Sequence, residues 1–111
     1  MESVESNDLE GVGSTPARTA KLYAITRADL APGLRTAQVG HALIAWVLAH
    51  GTPPDNLVVL QVPDLTALSA LAANLEGDVV RFHEPDLADA LTAIAAGPAT
   101  WRALSSIPLM R

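Results

Sequence analysis

The chain has no cysteine, a single lysine (Lys21), and only 4% aromatic residues. Without cysteine there is no disulfide framework, thiolate metal site or thiol nucleophile. Lys21 follows no glycine-rich turn, and the scattered glycines form neither a phosphate-binding loop nor a dinucleotide fingerprint. There is no Gly-x-Ser-x-Gly elbow of the kind that presents a nucleophilic serine. His41, His50 and His83 are spaced too irregularly for zinc ligation, so neither metal nor cofactor is expected. The longest apolar stretch, Val39 to Ala49, contains His41 and falls short of the roughly 20 residues that cross a bilayer. The opening segment is neither basic nor apolar, unlike a signal peptide. Together these absences predict a soluble, cytoplasmic protein with no membrane partner.

Positive charge is also scarce. Of the formal net charge of −5, the first 19 residues carry −3, through Glu2, Glu5, Asp8 and Glu10 against Arg18. Nucleic-acid binders usually gather Lys and Arg on one face to neutralise phosphates. Here Arg27, Arg35, Arg81 and Arg102 are the main candidates, beside Lys21 and Arg111. Their clustering around a cleft would favour a nucleic-acid ligand; their dispersal would favour a binding or regulatory role.

What is present is apolar material for one domain: half of the 111 residues are hydrophobic. Residues 1–19, punctuated by Gly11, Gly13, Ser14 and Pro16, are expected to be a disordered acidic leader, with residues 20–111 as the domain. Leu22–Thr26 reads as a strand ended by the turn Asp29–Gly33. Leu34–His50 is the strongest helical segment. At roughly 100° per residue, Leu34, Ala37, His41, Ile44, Ala45 and Leu48 share one side, and Val39, Leu43, Trp46 and Val47 the other. A helix apolar nearly all round is expected to be covered on both sides, by a sheet and by either the C-terminal segment or a partner. Gly51 is placed to end it, before Pro53-Pro54.

Asn56–Val62 is a nearly continuous apolar run typical of a buried central strand. A second helix follows, capped by Asp64, with Leu65, Leu68, Leu71, Ala72 and Leu75 as its stripe and Gly77 at its end. Asp78–Glu84 and Ala90–Ala96 are strands joined by a polar hairpin loop, and Thr100–Ser106 a short closing helix that packs Trp101 and Leu104 on the sheet. The order β-α-β-α-β-β-α predicts an α/β fold: a small mixed four-stranded sheet with helices on both faces.

Two clusters carry candidate chemistry. Arg35, Gln38 and His41 lie in the opening turns of the first long helix, whose N-terminus suits an oxyanion or phosphate. The alternative is that Gln38 and His41 are core-edge residues tied to backbone carbonyls. His83, Glu84, Pro85 and Asp86, with Asp89 and Thr92 downstream, lie where a strand leaves the sheet. Alternation puts Val80, Phe82 and Glu84 on one face and Val79, Arg81 and His83 on the other. A carboxylate there can act as general base on a water. The alternative is a solvated hairpin loop in which Asp86 or Asp89 only supports the turn.

The segment KLYAITRADLAPGLRTAQVGHALIAW resembles the opening of type II peptidyl-tRNA hydrolases. There a strand ends in Arg-x-Asp-Leu, matched by Arg27, Asp29 and Leu30. A glycine turn and an Ala-Gln-x-x-His-Ala helix follow, matched by Gly33, Ala37, Gln38, His41 and Ala42. LVVLQV and LTAIAAGP (Leu91 to Pro98) are similar to the family's central and last strands, so the resemblance spans residues 21 to about 107. It implies metal-free hydrolysis of the ester joining a peptide to the 3′ end of tRNA, and often a homodimer. The implied catalytic residues are Glu84, Asp86, His41 and Thr92, with Arg35, Gln38, Arg27 and Asp29 binding substrate. The chain departs from the family at two places. The turn Ala31–Arg35 lacks the family's lysine, leaving Arg35 as the nearest cation. Glu84 stands in the region of the family's aspartate, with Thr92 the nearest threonine. The rival expectation is a protein that keeps the fold and binds without catalysing.

Overall fold

The computed structural model describes residues 21–51 and 56–110, apart from the side chains of Ala99 and Trp101. The acidic leader, the Pro53-Pro54 turn, Arg111 and the expected packing of Trp101 lie outside the described residues. The elements follow the expected order: β1 (Lys21–Arg27), α1 (Pro32–His50), β2 (Asn56–Val62), α2 (Leu65–Asn74), β3 (Val79–Glu84), β4 (Ala90–Ala96) and α3 (Trp101–Leu104). Short 3₁₀ turns at Pro85–Leu87 and Pro98–Thr100 flank β4.

The four strands form one mixed sheet in the order β2-β1-β4-β3. β1 runs parallel to β2 and antiparallel to β4, and β4 pairs antiparallel with β3. The two central strands, β1 and β4, are buried almost end to end, as their small and β-branched residues allow. β2, read as central from its apolar run, is an edge strand. Its outer side receives the C-terminal segment: Gln61 N–H donates to Pro108 O at 2.9 Å, Met110 N–H donates to Val59 O at 2.9 Å, and Leu109 bridges Leu60.

Each sheet face carries its own core. α1 packs Ala42 and Trp46 on Leu22, Ala93 and Ala95, where the alanines let the helix approach closely. α2 packs Leu68 and Ala72 on Tyr23, Ile25, Leu60, Ile94 and Ala96, and Leu104 of α3 completes this cluster. Complete burial of a leucine such as Leu68 stabilises by about 1.5–3 kcal/mol.

The termini of the helices are set by local chemistry. Pro32 opens α1, and Gly51 ends it in the left-handed region at φ 83°, donating its N–H to Val47 O. The Asp64 carboxylate accepts the Ala67 N–H at 2.9 Å, capping α2 as its position implies.

Only one side of α1 is covered among the described residues. Val39 and Trp46 are buried and Leu43 and Val47 pack beside them, whereas Ile44 is 60% and Leu48 81% exposed. The C-terminal segment does not supply the second cover, because it lies along β2 with Ile107 on the α2-side core.

Candidate functional site

The site grows from an irregularity in β4. Phe82 pairs with Ala93, but the next residue, His83, pairs with Leu91, so Thr92 is an extra residue in β4. Such a bulge re-aims a side chain, and bulges are common beside active sites. Here it lets both Thr92 and Ala93 serve the α1 side of the sheet, while Leu91 and Ile94 serve the α2 side.

Thr92 Oγ1 donates to Gln38 Oε1 at 2.6 Å, and Gln38 Nε2 donates to Glu84 Oε1 at 2.8 Å. Gln38 is 1% exposed, so both ends of its amide need partners, and two different strands supply them. This pattern also fixes the amide's orientation, nitrogen toward the carboxylate and oxygen toward the hydroxyl. Behind Thr92, the hydroxyl of Thr26 donates to the Thr92 carbonyl at 2.9 Å. The network therefore runs from the C-terminal end of β1 through the bulge and α1 to the end of β3.

Glu84 Oε2 accepts the Asp86 N–H at 3.1 Å and so caps the 3₁₀ turn Pro85–Leu87. The Gln38 hydrogen bond first, and the Asp86 N–H second, hold the Glu84 carboxyl below the usual carboxylate range. A smaller favourable contribution comes from His41, against an opposing one from burial. The result is an ionised carboxylate at the strand end, held by two donors and with lone pairs left for a water.

The two clusters read from the sequence thus meet through Gln38. His41, one helical turn after Gln38, is exposed and stacks on Phe82 with ring centroids 4.7 Å apart and planes 10° from parallel. Asp86 contributes its backbone N–H. Its exposed carboxylate makes no hydrogen bond or ion pair among the described residues. Asp89 enters through its carbonyl, which lies 3.0 Å from His83 Nδ1, and with Ala88 it turns the hairpin at positive φ.

The remaining candidates lie at the rim. Arg27 grips Asp29 through Nε and Nη2 at 3.0 and 2.9 Å, and its Nη1 donates to Leu91 O at 3.0 Å beside the bulge. This pairing lowers the Asp29 pKa and raises that of Arg27. Arg35 Nη1 donates to Gln61 Oε1 at 2.9 Å, which ties it to β2. Arg81 reaches the Ala72 carbonyl at 2.9 Å on the α2 side, and Arg102 lies on α3 near Glu76 and Asn74. The arginines are therefore dispersed over both faces of the sheet. Among the described residues, no group of His, Asp and Glu is arranged to hold a metal ion.

Three participants were not singled out from the sequence: Thr26, Phe82 and Gln61. The signal for Thr26 was a hydroxyl inside an otherwise apolar strand, which needs a partner once buried. Gln61 carried the same signal within LVVLQV. Phe82 stood on the same face as Glu84 by alternation, but nothing placed His41 over it.

No known protein-family model matches the chain, and no curated protein matches it.

Proposed function

We propose that the chain is a peptidyl-tRNA hydrolase-like enzyme that cleaves the ester between a peptide and the 3′ end of tRNA by metal-free general acid–base chemistry. The observation that carries this is the convergence of Glu84, Gln38 and Thr92, buried at its base and open at the carboxylate. Glu84 positions and deprotonates a water that attacks the ester carbonyl. Gln38 holds the carboxylate in place, Thr92 fixes Gln38, and His41 lies beside the attacked group. The proton taken by Glu84 passes to the leaving ribose oxygen.

The test is release of peptide from N-blocked aminoacyl-tRNA by purified full-length protein, with Glu84→Gln beside it. Turnover that Glu84→Gln abolishes supports the hydrolase; no turnover by folded wild type at high enzyme concentration rejects it.

A second reading has its own support. The dispersed arginines, and a segment Ala31–Arg35 that has Arg35 and no lysine, favour a protein that uses the same fold to bind without catalysing. The resemblance also implies a second copy of the chain. The exposed α1 face at Ile44 and Leu48 is the surface such a copy would cover.

A further inference from the structure

We propose that the stacked His41–Phe82 pair is a platform for a nucleobase, the terminal base of the strand that carries the ester. This rests on the hydrolase reading above and names the part of the substrate that the site grips.

Phe82 is partly buried in the α1-side core, so it is a firm base for the imidazole stacked on it. His41 is an exposed residue with one ring face on Phe82, which leaves its opposite face to solvent. A flat ring held parallel to a packed aromatic is the surface on which bases stack, since every base has a π-face. Three residues along a helix is a rise of about 4.5 Å, so this surface lies one turn from Gln38 and its Glu84 partner. A terminal base is separated from its own ester by only a ribose, which suits a platform placed that close to the carboxylate.

The charge distribution agrees. Proteins that hold nucleic acid through phosphates gather cations along the strand. Here Arg81 and Arg102 lie on the far side of the sheet, Arg27 is bound to Asp29, and Arg35, at the start of α1, donates to Gln61. Stacking is the means of nucleotide recognition that this surface offers, and it carries little salt dependence of its own.

The test is a titration of the full-length protein with adenosine 5′-monophosphate, followed through the His41 ring protons by NMR. The expected result is an upfield ring-current shift, affinity about 5- to 100-fold weaker in His41→Ala, and affinity largely kept in His41→Phe. Raising the salt should change the affinity little. Ring protons that do not move, or equal affinity in His41→Ala, overturn the proposal. So does a shift produced by N-acetyl-phenylalaninamide and not by the nucleotide, which would make the platform a peptide subsite. Nucleotide stacking without peptide release by wild type would reject the hydrolase and keep the platform. Peptide release without stacking would do the reverse.

Discussion

Thr92 and Gln38, 54 residues apart in the chain, meet at 2.6 Å, and the same glutamine then holds Glu84 at 2.8 Å. One buried amide thus connects a bulged strand to the carboxylate at the end of its neighbour. Each of its polar atoms is used, so its replacement is felt on both sides.

Gln38→Leu removes both hydrogen bonds and leaves both partners, while preserving much of the volume. The Thr92 hydroxyl, fully buried, loses its acceptor, at a cost of about 1–3 kcal/mol. Urea denaturation should show this loss. Unchanged stability would mean that the network does not hold the α1 side of the sheet. Gln38→Glu places a second carboxylate beside Glu84, and carboxyl NMR should then find one of the two titrating well above the ordinary range.

Glu84 sets the expected pH dependence. Its folded pKa is lowered, so the stability it contributes is present above about 4.3, the ordinary value, and is lost as pH falls through the lowered folded value. A carboxyl ¹³C titration of Glu84 should have its midpoint below that of a free glutamate. If Glu84 is the base, the acid limb of peptide release lies at the same low pH. A midpoint at or above the ordinary value contradicts the two hydrogen bonds.

Gly97 marks a close approach. A Cβ there would lie 3.0 Å from Trp46 Cη2, and the indole is itself stacked on His50 at a centroid distance of 3.6 Å. Gly97→Ala is therefore overpacked, with an expected cost of about 1–3 kcal/mol in thermal or chemical unfolding.

The Asp64 cap offers a test of helix-end stability. Asp64→Ala loses the bond to the Ala67 N–H and should cost about 0.5–2 kcal/mol in chemical unfolding. Unchanged stability would mean that the α2 N-terminus does not depend on this cap.

Leu48 and Ile44 test self-association. Sedimentation should show wild type larger than a monomer and Ile44→Lys, Leu48→Lys monomeric, with the fold retained because neither side chain is in the core. A monomeric wild type would leave this face open for another partner.

Much of the fold was legible because its signals are local. β2 and β4 have the bounds read from their apolar runs, Gly51 and Asp64 lie at the ends they imply, and Val80, Phe82 and Glu84 share the α1 face as alternation requires. α1 begins at Pro32, two residues before Leu34, because proline at the first helical position needs no N–H partner. The site was legible as two clusters but not as one. Their union depends on strand order and on the Thr92 bulge, which arise from pairing between distant segments. The sides of α1 were divided as the structure has them except at His41, which was placed with Ile44 and Leu48 but stacks on Phe82; the pattern cannot tell a face covered by the sheet from one left open, since both are apolar.

The order β2-β1-β4-β3 has a consequence for folding. Thr26 and Thr92 sit on the adjacent central strands β1 and β4, which are joined only after two helices and two other strands have been made. No contiguous fragment shorter than residues 26–92 contains the whole network, so the site cannot exist before that seam has closed. Slow hydrogen exchange across the β1–β4 pair and appearance of the site should therefore rise together during refolding, as one cooperative event.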